Sequence, residues 1–379
     1  MKYILSFAML LYIFSPLKAA AEGAVMPPAP EISAPAAVLM EKETGTVIYA
    51  KNADEPGFPA SITKIMTMLI IVEAIENGSI SVEDTVIASE RAASFGGSCV
   101  YLEPGEQMSV REMLKCIAVV SANDCAVAMA EHIAGSEEGF VKLMNKRAEE
   151  LGMENTHFSN CSGLFEDDAH FTTARDVALM SRALISHELI KEYTTIWMDS
   201  IRGGEFELAN TNKLVYWYPG CTGLKTGYTS SSRYCLSATA ERNGDEYIAV
   251  IMHSESPEKR NAEAEALLDF AFAACRLVPL NDGAQLPRLP VELGEKSHVA
   301  LEYGGEPKAL MPKGAEPEYE AEFEQLVKAP VKKGDRLGTL KVTVNGEQVA
   351  DTPIIAAEDV ERIGFFGIFG RLAGSLVGL

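Results

Sequence analysis

Two blocks of alternating apolar and polar residues, far apart in the chain, bracket a long stretch written in helical periodicity. "AAVLMEKETGTVIYAKNAD" reads as two strands around a turn at Thr44 and Gly45. Strand character returns in "LKTGYT" and in "YCLSATAERNGDEYIAVIMHS", where Asn243 and Gly244 supply a hairpin turn. Between them, residues 61 to 190 carry helices. "SVREMLKCIAVV" opens with a capping box, Ser109 with Glu112. "DCAVAMAEHIAGS" and "EEGFVKLMNKRAEELGM" end near Gly135 and Gly152. A last helix, "SPEKRNAEAEALLDFAFAA", starts at a Ser-Pro cap. Strands that are distant in sequence and share one sheet, with helices inserted between, predict an α+β architecture: an antiparallel sheet covered by helices and carrying a helical insertion.

The 379 residues, 47% of them hydrophobic, suffice for one large core, predicted over residues 25 to 278, and a second module. From about residue 279 prolines punctuate short alternating segments, and "GTLKVTVNGEQVADTP" folds back through an Asn345-Gly346 turn. A small β-rich domain is expected over 279–360. The formal net charge of -21 opposes binding to phosphate backbones, so nucleic acid is excluded as a partner.

"MKYILSFAMLLYIFSPLKAAAEGA" has Lys2, an apolar run from Tyr3 to Phe14 and small residues Ala19 to Ala21, the pattern of a signal peptide over 1–21. The bulk of the chain is thus expected outside the cytoplasm. The tail "ERIGFFGIFGRLAGSLVGL" is apolar but too short for a comfortable span. It predicts an amphipathic helix over 361–379 lying in the membrane interface. Seven widely spread cysteines with no CxxC spacing form neither a disulfide framework nor a zinc ribbon, and Cys116 and Cys125 read as small core residues.

"GFPASITKIMTMLIIVEAIENG" reads as an amphipathic helix entered through Pro59, with Ser61 and Lys64 on one face of its first turn. A serine nucleophile needs a base, and a lysine serves only when neutral. Lowering its pKa by about three units means destabilising the ammonium by roughly 4 kcal/mol, through burial or a second cation. Ser-x-x-Lys alone is weak, since "SPLK" and "SPEK" also match. The company that "SITK" keeps is stronger. "SAN", Ser121 to Asn123, falls between two helices, where a loop can aim a hydroxyl and an amide into a cleft. "KTG", Lys225 to Gly227, falls on a strand, and its glycine leaves room for a substrate backbone alongside. Nucleophile, polar bridge and anion-binding strand occur in that order, a set shared by penicillin-binding proteins and class A β-lactamases.

With "PASITK", "VVSANDCAVAMAEHIAG", "LGMENTHFSNCSGL", "YPGCTGLKTGYT" and "APVKKGDRLGTLKV", the chain resembles the serine D-alanyl-D-alanine carboxypeptidases, the low-molecular-weight penicillin-binding proteins of peptidase family S11, over nearly its whole length. The resemblance implies that Ser61 is acylated and Lys64 is its base. It implies that Ser121 relays a proton to the leaving amine and Asn123 holds the substrate amide or the lysine. By the same resemblance Lys225 and Thr226 bind the terminal carboxylate, Gly227 and Tyr228 complete the substrate strand, and Lys225 depresses Lys64. The N–H groups of Ser61 and Tyr228 would form the oxyanion hole. Implied partners are a peptidoglycan stem peptide, β-lactam antibiotics as covalent inhibitors and the outer face of the cytoplasmic membrane, with no cofactor and no metal. Thr222 stands where an acidic residue is common in the family, and Arg233 and Arg242 are candidate helpers for the carboxylate.

Three alternatives stay open. A metallopeptidase could use "ENTH", although no HExxH is present and the histidines show no ligand spacing. His157 therefore reads as structural. A β-lactamase would share the trio, with "SDN" in place of "SAN". A catalytically idle scaffold would bind penicillin or peptidoglycan without turnover, and the motifs do not separate carboxypeptidase from endopeptidase or transpeptidase. Tyr216, Trp217 and Tyr218 either line a cleft or pack, with packing favoured.

Overall fold

The computed structural model describes residues 26–165, 167–280, 285–305, 308–365 and 367–368. The expected signal peptide and most of the expected tail helix lie outside these residues. The architecture is two-domain, an α/β domain followed by a β-rich one.

Five antiparallel strands form the main sheet: β1 (Ala36–Glu41), β2 (Val47–Lys51), β3 (Cys221–Thr229), β4 (Arg233–Arg242) and β5 (Asp245–Ser254), in the order β2-β1-β5-β4-β3. The N-terminal hairpin therefore pairs with the last strand, Val38 opposite Val250, and β3 is left as an edge. The β4–β5 turn carries Asn243 and Gly244 in the left-handed region, as the dipeptide predicts. Alternation along the strands divides the core between two faces. Val38, Met40, Ile248 and Val250 meet the helical insertion, whereas Leu39, Leu236, Ala249 and Ile251 meet Leu267 and Leu268 of the C-terminal helix.

The insertion supplies α1 (Lys64–Glu76), α2 (Val110–Val120), α3 (Asn123–Ala134), α4 (Glu137–Glu150) and α5 (Ala174–Ile185); the C-terminal helix is α6 (Pro257–Ala274). Ser109 and Glu112 form the expected capping box of α2. The expectation for α1 needs correction. It is buried on every side from Lys64 to Val72, a central core helix packed against α2, α3 and α5, so it is not amphipathic. Ser61 sits just before it, in a 3-10 turn (Ala60–Thr63).

In the β-rich domain, strands Leu301–Tyr303, Glu347–Ala356, Arg336–Val344 and Glu318–Phe323 form a sheet in that order, with Asn345 and Gly346 left-handed at the predicted hairpin. Strand Cys275–Pro279 pairs with Lys308–Pro312, so the first strand shared with this domain crosses the boundary expected at 279. Ile363 N donates to Leu293 O at 2.7 Å, tying the start of the tail to the domain. No helix of the described residues is long and apolar enough to cross a membrane.

Candidate active site

Ser61 lies at the mouth of a cleft of about 650 Å³ whose walls include Ser121, Thr226, Gly227, Tyr228 and Arg260. The left-handed backbone of Ala60 (φ 48°) turns the chain into α1 and presents the Ser61 hydroxyl. One turn on, Lys64 is fully buried. Its Nζ lies 3.0 Å from Ser61 Oγ, 2.6 Å from Asn123 Oδ1 and 2.6 Å from the carbonyl of Ser162. Burial pushes its pKa down to about 7, against the pull of the Cys161 and Cys99 thiols and the Asp124 carboxylate. A neutral amine has two N–H groups and one lone pair. Asn123 and Ser162 are acceptors only at the contacting oxygens and claim the two N–H groups, so the lone pair points at the Ser61 hydroxyl.

Asn123 thus holds the lysine. Its Nδ2 donates to Gly96 O at 2.8 Å, and the neighbouring Asp124 accepts from the amides of Val100 and Leu102, at 3.0 and 3.1 Å. The pair pins the loop that flanks the cleft. Ser121 ends α2 in a left-handed conformation (φ 65°, ψ 33°). Its buried Oγ has no partner among the described residues, an orphan lining the space beside Ser61.

Strand β3 brings in Lys225, also fully buried, its Nζ 2.8 Å from Thr226 O. Burial, then the charges of Lys64 and Arg260, depress its pKa. Lys225 was expected to depress Lys64, but desolvation is what neutralises Lys64; the mutual repulsion registers on Lys225. Thr226 Oγ1 donates to Thr211 Oγ1 at 2.8 Å. Gly227 makes room for something other than expected. A Cβ there would stand 2.9 Å from Pro59 O and 3.2 Å from Ile62 N, so its bareness seats the turn carrying Ser61 against the strand. Tyr228 follows, exposed on the free edge and stacked on Tyr234 with ring centroids 4.5 Å apart.

The proposed helpers are elsewhere. Arg242 lies over the rings of Phe272 (4.3 Å) and Tyr218 (4.7 Å), and Arg233 lines a separate small pocket with Ser33 and His253. The cations lining the cleft among the described residues are Lys213 and Arg260; Arg260, in the first turn of α6, is buried with its Nε and Nη2 on Asn261 Oδ1. Sequence reasoning missed it because a lysine- and arginine-bearing first turn of a helix carries no signal of its own. It also missed Ser162, whose contribution is a backbone oxygen. Thr222 Oγ1 donates to Glu246 Oε1 at 3.0 Å, so an acid from β5, two strands away across β4, approaches that position. Of the aromatic triplet, Trp217 lines the cleft with its Nε1 on Glu265, Tyr218 is buried, and Tyr216 is exposed and stacked on Trp197. His157 Nδ1 pairs with Ala169 O at 2.6 Å, away from Ser61.

Residues 23–256 match the family model described as D-alanyl-D-alanine carboxypeptidase. The chain belongs to the S11 family of D-alanyl-D-alanine carboxypeptidases. Residues 278–362 match the C-terminal domain of penicillin-binding protein 5. Among relatives, D-alanyl-D-alanine carboxypeptidase DacF of Bacillus subtilis is 44% identical, over 90% of this chain and 89% of the relative. DacC of Escherichia coli is 35% identical, over 94% and 91%. Penicillin-binding protein 5 of Haemophilus influenzae superposes with a TM-score of 0.82 at 29% identity, covering 89% of this chain and 100% of the other. The S11 enzymes are serine peptidases, and the family match over residues 23–256 spans the α/β domain up to the start of α6.

Proposed function

We propose that Ser61 is the acylated nucleophile by which this carboxypeptidase removes the terminal D-alanine of peptidoglycan stem pentapeptides. The observation that carries the assignment is the surroundings of the Lys64 amine: three oxygen partners, none of them charged, one of them Ser61 Oγ. Lys64 takes the hydroxyl proton as Ser61 forms a bond to the penultimate carbonyl carbon. The resulting oxyanion is met by the N–H groups of Ser61 and Tyr228. The C–N bond then breaks and Ser121, the orphan hydroxyl, relays a proton to the departing amine of D-alanine. Thr226 and Arg260 line the cleft where the substrate's terminal carboxylate would lie, with Lys225, Gly227 and Tyr228 on the same strand as Thr226. Water then enters and hydrolyses the Ser61 ester. A β-lactam would acylate Ser61 by the same attack on its strained amide, consistent with an ampicillin-bound relative, penicillin-binding protein D2 of Listeria monocytogenes.

The catalytic unit is placed at 25–278 and the β-rich domain at 279–360. A signal peptide over 1–21 would export the chain, and the segment 361–379 would hold it to the outer face of the cytoplasmic membrane. Supporting that last reading, Phe365 is exposed just after the point where Ile363 is tied to Leu293. Removing residues 362–379 should release the protein from membranes with its activity intact; continued sedimentation with membranes would refute the anchor.

The deciding experiment is D-alanine release from a stem peptide ending in D-alanyl-D-alanine, with residues 22–361 and Ser61→Ala compared in the presence and absence of EDTA. Release should survive EDTA and vanish in the variant. A folded protein that takes up penicillin but releases no D-alanine would be the idle scaffold, and loss with EDTA alone would overturn Ser61.

A further inference from the structure

One buried histidine makes contact with the nucleophile's turn. His170 is 1% exposed. Its Nδ1 lies 3.0 Å from the backbone N–H of Ser159 and its Nε2 2.8 Å from Thr63 Oγ1. An amide N–H can only donate, so Nδ1 must be unprotonated and Nε2 carries the proton. The direction of the remaining bonds follows. Nε2–H donates to the Thr63 hydroxyl, and Thr63 Oγ1 in turn donates to the carbonyl of Ala60 at 2.8 Å.

The Ala60 carbonyl belongs to the same peptide plane as the N–H of Ser61. In a trans peptide these two groups point in opposite directions. Fixing the carbonyl on Thr63 therefore aims the Ser61 N–H away from Thr63, while Ala60 itself sits in an unfavourable left-handed conformation that needs outside support. Packing enforces the arrangement from the other side. A Cβ at Gly163 would come within 1.8 Å of Ala60 O and 2.6 Å of Thr63 Oγ1, so the loop holding Gly163 presses on that peptide. This is the loop whose Ser162 carbonyl holds Lys64, and the one His170 grips through Ser159.

We infer that His170 is a positioning residue for acylation: through Thr63 and the Ala60 carbonyl it orients the Ser61 N–H as an oxyanion donor and locks that turn to the loop carrying Ser162. The inference rests on the proposed role of Ser61. Glutamine can reproduce both bonds, its oxygen accepting from Ser159 and its nitrogen donating to Thr63, whereas leucine reproduces neither. Thr63→Val removes the link at the next step at nearly constant volume.

The test is benzylpenicillin acylation of the full chain, separating the maximal acylation rate from the half-saturating concentration and normalising to folded protein. His170→Leu should lower the maximal rate about tenfold to a hundredfold, less than or comparable to loss of a whole oxyanion donor, with the half-saturating concentration unchanged. Thr63→Val should do the same, the double variant should be no slower than either alone, and His170→Gln should recover most of the rate. Wild-type rates in both His170→Leu and Thr63→Val, a glutamine variant as slow as the leucine one, or a loss confined to the half-saturating concentration would each overturn the inference while leaving Ser61 in place. Absence of any penicillin ester on wild-type Ser61 would instead remove the underlying assignment, and this inference with it.

Discussion

Lys64 and Lys191 each contact three acceptors, yet their acidities move in opposite directions. Lys191 sits beside the sheet with Glu241, Glu188 and Glu246 at 3.0, 3.2 and 3.2 Å. Burial opposes its charge, but these carboxylates outweigh burial and its pKa is raised. Lys64 has only a hydroxyl, a side-chain amide oxygen and a peptide carbonyl, and falls to about 7. Neutral dipoles orient an ammonium without recovering what desolvation costs, here roughly 5 kcal/mol from the size of the shift. Burial and partner charge decide the outcome together, since Lys64 is fully buried while the Lys191 side chain keeps 17% of its exposure. An ion pair fixes a cation, and a polar cage without charge makes a base.

The largest test of that contrast is Lys64→Ala, which should slow acylation of Ser61 by about 10²- to 10⁴-fold as the base is lost, measured by penicillin uptake. A buried histidine obeys the same rule and is expected to reveal it in stability. Burial holds His170 near 4, with Asp167 favouring and His157 opposing its proton, against 6.5 for the free side chain. Between those values the unfolded chain binds more protons, so the stability due to neutral His170 is complete above 6.5 and is lost as pH falls toward 4. It amounts to at most about 3 kcal/mol. Urea titrations should find this pH slope flattened in His170→Gln; an unchanged slope would mean that other groups carry it.

Asn123→Asp converts the neutral cage of Lys64 into a charged one. The acid limb of kcat/KM, expected near pH 7 for the wild type, should move up by about one to two units, with activity at pH 7 lower by about 5- to 50-fold. A limb that stays put would break the comparison. The smallest effect is expected from Lys191→Met, where Glu188 and Glu241 are largely solvated: about 1 to 2 kcal/mol of stability in denaturant, with no movement of the acid limb.

The sheet and the trio around Ser61 were readable because both depend on local pattern. Alternation of period two and the Asn243-Gly244 and Asn345-Gly346 turns mark strands wherever they occur. "SITK", "SAN" and "KTG" each combine a side chain with the local element that aims it. What was not readable depends on packing between distant segments. The apolar run after Lys64 is the same whether a helix has one covered face or is covered all round, so α1 was taken for amphipathic. Desolvation of Lys64 follows from that burial, and the sequence offers burial and a second cation, Lys225, as equal sources because only the packing separates them. Ser162 contributes a carbonyl that any residue would offer, Arg260 is one cation among several in its turn, and His170 acts through Thr63. The bareness of Gly227 has its use in Pro59 and Ile62, which a reading confined to the strand could not supply.

The sheet order has a consequence for the timing of activity. The β1–β2 hairpin and α1 leave the ribosome before the rest of the sheet, but β1 pairs with β5, and the turn carrying Ser61 rests on Gly227 of β3. Until those strands have been synthesised, the turn carrying Ser61 lacks the strand it rests on. The cleft beside Ser61 is therefore among the last parts of the domain to be completed, closed only when the final sheet strands arrive.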